Sequence, residues 1–226
     1  MNSGPRWRCF SSLISCTLLL VLTSCMSFRS DIDGLYVPAS TTLQKLEPVS
    51  VFFRITHLEQ EVGYDVVPKI IRPARGFRDI FGESMNQLSN VRSFATFTDS
   101  DNDIDDVGRR AMRDSLRSAN DVTIHLTIKR ENSFAKHTLA MLVSYGTASI
   151  VPMGYSWDYI ITADVYNSSG SKIRSYSRRS SLSTWYQAAL VLVYPFFPSE
   201  MKIEEIYLES MENIFRQMEY EGTLKK

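Results

Sequence analysis

Between Asp121 and Arg130 the chain alternates without a break, with Val122, Ile124, Leu126 and Ile128 on one parity and Thr123, His125, Thr127 and Lys129 on the other. Successive side chains of a strand point to opposite faces, so this segment reads as a strand that is apolar on one side and polar on the other. Trp157, Tyr159, Ile161, Ala163 and Val165 repeat the pattern against Asp158, Thr162 and Asp164. Asn167-Ser168-Ser169-Gly170 then supplies a turn, and residues 172–185 return as the second strand of a hairpin. A chain with such segments must build a sheet that is covered on one face, and something apolar must do the covering.

Helices supply the cover. Phe77, Ile80, Phe81, Ser84, Met85 and Leu88 recur at three and four, the stripe of a helix packed on a core. Residues 107–119 read as a second helix. Ser199 caps a third over residues 200–220, which carries Ile203, Tyr207, Met211, Ile214 and Met218 on one face and ends at Gly222. Residues 49–56 and 91–98 read as further strands. Strands and helices do not alternate strictly, so the expected fold is α+β: one domain over residues 49–226, a mostly antiparallel sheet with helices packed on one face.

Composition agrees with a folded body and excludes several classes. The chain has 226 residues, 44% hydrophobic and 22% charged, with 25 basic and 25 acidic side chains. That is too apolar and aromatic for a disordered chain, and balanced charge argues against a nucleic-acid partner. No internal repeat is visible.

The first eight residues carry Arg6 and Arg8 and no acid, and residues 10–22 are apolar apart from Ser and Thr. A stretch of about 13 residues falls short of the roughly 20 that cross a bilayer, and it suits the apolar core of a secretory signal. Leu22-Thr23-Ser24-Cys25 follows, and this tetrapeptide resembles the lipobox of bacterial lipoproteins. The resemblance implies cleavage between Ser24 and Cys25, a diacylglyceryl group on the Cys25 thiol, and an acyl chain such as palmitate on the new amino terminus. Residues 1–24 would then be the signal peptide. Cys9 and Cys16 lie inside it, so Cys25 is the sole thiol kept and no intrachain disulfide is possible. Two or three acyl chains anchor firmly, because each buried methylene contributes about 0.8 kcal/mol. Loss of the leader removes two arginines from a balance of +0 and leaves a formal charge of −2, with no strong electrostatic steering. In lipoproteins with this motif the residue after the cysteine sorts the protein, and Met26 in place of Asp implies the outer membrane of the bacterial envelope. Residues 25–48, punctuated by Asp33-Gly34, Pro38 and Pro48, read as the lipidated Cys and a flexible tether. Some 25 residues could reach roughly 80 Å if extended.

Sites for chemistry are sparse. Asp99, Asp101 and Asp103 alternate like the opening of an EF-hand calcium loop, but Ile104 stands where the loop needs Gly and Arg110 where it needs Glu. The alternative is a solvated loop in which Asp105 or Asp106 caps the following helix. His57, His125 and His137 fall in no metal-ligand spacing, and each reads as a surface or satisfied polar residue. No nucleophile elbow or phosphate-cradling glycine loop occurs. The serine-rich stretch 175–184, with Arg178 and Arg179, could hold anions or lipid headgroups, or could be the polar face of a hairpin strand. Asn167-Ser168-Ser169 matches a glycosylation acceptor, which has no meaning in a bacterial lipoprotein. No metal or catalytic residue is expected, and no cofactor beyond the diacylglyceryl and N-acyl lipid on Cys25.

Two long segments, 138–157 and 180–199, contain no ionisable side chain except Tyr. Gly146, Pro152, Gly154, Pro195 and Pro198 interrupt them, which disfavours spanning helices. Three readings fit: buried core, a docking surface for a partner, or contact with the bilayer interface. Core burial is the first expectation, since a single domain needs apolar segments. Trp185, Tyr186, Tyr194, Phe196 and Phe197 are the candidates for partner or membrane contact, being residue types that settle at interfaces. The hairpin should carry both segments to one end of the sheet.

The order of features from Ile150-Val151-Pro152 to Gly222 also resembles a broad group of uncharacterised bacterial outer-membrane lipoproteins: broken apolar run, Tyr-rich strand, Ser-Ser-Gly turn, second strand, aromatic-Pro run and acidic helix. The implied function is a non-catalytic binding, assembly or transport-accessory component of an envelope complex, bound to the membrane through its lipid. Two alternatives stand beside it. One is an envelope hydrolase or ligand-binding enzyme, signalled by Asp158, Asp164 or the Asp99–Asp106 loop meeting a histidine in a cleft. The other is a surface-exposed lipoprotein that binds extracellular ligands.

Overall fold

A computed structural model describes residues 25–38, 47–147, 151, 153–186 and 199–225. In chain order the elements are β1 (Cys25–Arg29), β2 (Val49–Val62), β3 (Lys69–Ile70), α1 (Phe77–Ser84), β4 (Val91–Thr98), α2 (Val107–Ser118), β5 (Val122–Ser133), α3 (Phe134–Gly146), β6 (Met153–Tyr166), β7 (Lys172–Tyr186) and α4 (Ser199–Tyr220). The seven strands form one sheet in the order β1-β7-β6-β5-β2-β3, with β4 also paired to β2. Pairing is antiparallel except where β2 meets β4 and β5. The fold is α+β with a mostly antiparallel sheet.

The alternation in β5 decides which face is buried. Val122, Ile124, Leu126 and Ile128 are all within 2% of full burial, and their register partners Val165, Ala163 and Ile161 on β6 and Phe53 on β2 share that face. α1 and α4 cover it. Phe53 meets Phe81 of α1 at 5.1 Å edge-on and Phe215 of α4 at 5.8 Å, so three elements interlock through three rings. The other parity of each strand faces away and carries hydroxyls that pair across strands, such as Thr162 with Ser177 at 3.2 Å. α2 adds no buried residue. Its Arg109 guanidinium lies 4.8 Å over the ring of Phe97, on the sheet face opposite Phe53.

The structure departs from the sequence reading in the extent or placement of three segments. The helix expected over 77–88 stops at Ser84, whose hydroxyl turns back to the carbonyl of Ile80 at 2.8 Å, and a single 3₁₀ turn completes the segment. β2 and β5 run on to Val62 and Ser133, because each continues to pair with the other. The third difference is the tether. Cys25–Arg29 pairs in register with 182–186 of β7, Ile32 is buried, Asp33 bridges to Arg179, and the Tyr36 amide donates to Asn213 Oδ1 at 2.8 Å. Residues 25–36 are therefore docked on β7 and α4 and are not a free leash. β7 offers an open edge, and a neighbouring strand satisfies its backbone groups. Of the remaining tether, 39–46 lies outside the described residues.

Candidate membrane and partner contact site

Register fixes where Cys25 lies. Cys25 stands opposite Tyr186, and Tyr186 stands opposite Met153, so the first residue of β1, the last of β7 and the first of β6 share one end of the sheet. The β6–β7 turn, with Gly170 at φ +82°, is at the other end. One row further in, Met26 faces Trp185 and Trp185 faces Gly154. Here the glycine allows a close approach: a Cβ on Gly154 would come within 2.9 Å of the indole, which lies across it and is 43% exposed.

Beyond the pair Glu131–Asp158, β6 and β7 project past the end of β5, and α3 lies beside that projection. His137 stacks on Tyr155 at 4.4 Å, and its Nδ1 lies 3.2 Å from Asn132 Nδ2, which holds the helix start. Of the thirteen residues of α3 only Ala140 is buried. Leu139, Met141, Leu142 and Tyr145 are 59%, 45%, 65% and 80% exposed. Core burial, the first expectation for the uncharged segment 138–157, is thus corrected for α3 among the described residues: α1 and α4 fill the sheet's covered face, and no described apolar face remains for this helix. The second uncharged segment falls largely outside the described residues.

Of the predicted contact residues, Trp185 is at this end and Tyr186 closes β7, while Tyr194, Phe196 and Phe197 lie outside the described residues, as does Ser24. The expectation that the hairpin brings both uncharged segments to one sheet end holds at their described ends, Met153 and Tyr186. No helix among the described residues is long and apolar enough to cross a membrane.

The acidic loop does not assemble a cation shell. Asp99 is buried and accepts from Arg54 Nε at 2.9 Å and the Thr56 hydroxyl at 2.5 Å; Asp103 is held by Arg109. The hydrogen bond from Arg109 holds the Asp103 carboxyl below its ordinary range. Asp106 caps α2 by accepting from the Arg109 amide at 2.9 Å, the capping role expected of Asp105 or Asp106. No cluster of three metal-ligating side chains occurs among the described residues.

The histidines separate. His125 lies on the polar face in a groove of about 450 Å³ with Arg54, Thr127 and Asp99, and it stands opposite Asp164. Burial, with Arg54 and Arg117 nearby, lowers its pKa. The carboxylates are already engaged, Asp164 by Ser175 and Lys172 and Asp99 as above. The expectation that His57 is a surface or satisfied polar residue is corrected: it is 1% exposed, packed edge-on at 4.6 Å against Phe77, and its Nε2 has no partner among the described residues. Its parity places it on the apolar face beyond Ile55. In the serine-rich stretch, Arg178 points to the helix face, is 5% exposed and donates to Asn213 and Gln217, whereas Arg179 pairs with Asp158 across the hairpin at 2.5 Å. Burial pushes the Asp158 carboxyl up, but hydrogen bonds from Ser181 and Arg179 outweigh it and hold it below the usual range.

No family model and no curated protein sequence matches the chain. Among solved structures it is similar to a dodecamer of a single-substitution variant of PelC from Paraburkholderia phytofirmans, at 5% identity and TM-score 0.31 over 87% of this chain and 99% of that one. A second PelC dodecamer structure from the same organism gives 7% identity and TM-score 0.28, over 84% and 96%. Likenesses this distant say nothing about activity or assembly of the present chain.

Proposed function

We propose that the chain is a lipid-anchored protein of the bacterial envelope, sorted to the outer membrane, that serves as a non-catalytic binding, assembly or transport-accessory component of an envelope complex. The observation that carries this reading is Leu22-Thr23-Ser24-Cys25 after an apolar leader of signal length, with Cys25 opening the edge strand at the sheet end that holds Trp185 and α3. The anchor role of Cys25 is chemical: a thiolate is the nucleophile that takes the diacylglyceryl group, and the small residues before it leave room for a peptidase at the bilayer. The partner role rests on exposed apolar side chains, because patches of this kind mark interaction surfaces.

Fractionation of cells carrying wild type and Cys25→Ser tests the anchor. The wild type should sediment with outer membrane and the variant should not; equal sedimentation of both would remove lipid on Cys25 as the cause. Crosslinking in intact envelopes followed by pull-down tests the partner role. Recovery of a specific envelope protein in stoichiometric amount supports it, and recovery of none contradicts it.

A further inference from the structure

We infer that α3 is an interfacial membrane helix: its apolar side sits in the headgroup and upper acyl region of the bilayer that holds Cys25. The inference rests on the anchor reading above and adds a second point of contact, which that reading does not require.

Three observations lead to it. A helix apolar on nearly all sides belongs in a core or in lipid, and α3 buries only Ala140 against the described residues. Leu139, Met141, Leu142 and Tyr145 have no cover among them. Next, the anchor has no slack. Cys25 is itself the first residue of β1, so the sheet starts at the acylated residue and cannot stand away from the membrane. β6, against which α3 packs through Tyr155, is two strands from β1, or about 10 Å at ordinary strand spacing. A bilayer that receives the acyl chains of Cys25 therefore reaches α3 as well. Last, no acid occurs between Glu131 and Asp158, and Lys136 is exposed at the start of α3. That charge pattern lets the helix approach anionic headgroups without repulsion, while a spanning role is excluded by its thirteen-residue length.

The test uses the mature protein purified from envelopes and reconstituted into vesicles of phosphatidylethanolamine and phosphatidylglycerol. An environment-sensitive fluorophore is placed at Leu142→Cys and, as control, at Ser169→Cys in the β6–β7 turn. Lipids spin-labelled high on the acyl chain should quench the probe at 142 at least about threefold more than the probe at 169, as depth in the interface requires. Equal quenching at both positions overturns the inference. Shielding of the 142 probe without lipid, growing with protein concentration, would assign the surface to a second copy and also overturns it. Shielding without lipid that is independent of concentration would mean cover by the chain itself, and it overturns the inference equally. The intact mass of the same sample reports Cys25 acylation separately. If the mass shows no lipid, the anchor reading fails, and added vesicles still decide the inference by whether they quench the 142 probe. Leu142→Asp, with an unchanged urea midpoint, should bring the quenching of a probe at Leu139→Cys down to the level at 169.

Discussion

Acidification should destabilise this protein through the buried imidazole of His57. His57 is 1% exposed, rests on the Phe77 ring, and has an Nε2 without a hydrogen-bond partner among the described residues, so burial lowers its pKa to about 4 against 6.5 in the unfolded chain. Above pH 6.5 it is neutral in both states and adds no pH dependence. As pH falls below 6.5 the unfolded chain takes up a proton that the folded chain refuses, so stability declines until the folded imidazole also titrates near pH 4. Between pH 7.5 and pH 4.5 the two values give a loss of about 2.5 kcal/mol, as an order of magnitude. Carboxylates titrate in the lower part of this window too, so the quantity to measure is a difference. Urea unfolding of wild type and His57→Leu at both pH values should show the wild type losing about 2.5 kcal/mol more than the variant. Equal losses would refute the reasoning that burial without a partner keeps His57 neutral.

Packing, capping and docking give further outcomes. Phe53→Ala removes the ring that joins α1, α4 and β2 and should cost about 3–5 kcal/mol by urea unfolding; a cost below about 1 kcal/mol would mean the three-ring junction is not the centre of the core. Asp106→Ala deletes the cap on α2 and should cost about 1 kcal/mol, with Asp106→Asn recovering most of it. Asn213→Ala removes the partner of both the Tyr36 amide and Arg178 Nε; hydrogen exchange at Tyr36 should quicken, and stability should fall by about 1–3 kcal/mol. Unchanged exchange there would show that Asn213 does not hold the segment after β1.

The elements with strong periodicity are legible from the sequence. β5, the β6–β7 hairpin and α4 each pair a clear period with a turn or cap, and each forms where that pattern puts it. β1 is not legible, because Cys25–Arg29 has no alternation of its own and forms by completing the edge of β7. α3 is hidden for the opposite reason. Phe134–Gly146 is apolar nearly all round, so no polar face marks a helical period, and lack of charge suggests core although α1 and α4 already fill it. His57 belongs to the same class of miss. Its neighbours on one parity, Val51, Phe53 and Ile55, point to the buried face, and that parity outweighs the usual preference of histidine for the surface. At the candidate site, Cys25 and Trp185 can be named from residue type alone. Their meeting at one end with α3 depends on the register of β1 on β7 and of β7 on β6, which no local pattern encodes.

The proposed anchor turns on the chemical state of residue 25. Trypsin cuts after Arg29, so a chain processed at Cys25 yields an amino-terminal peptide 25–29 whose mass, measured from isolated envelopes, reads that state directly. The expected product is a peptide that begins at Cys25 and carries a diacylglyceryl group and an amide-linked acyl chain. A free thiol at Cys25, or a chain that retains residues before it, would contradict the anchor.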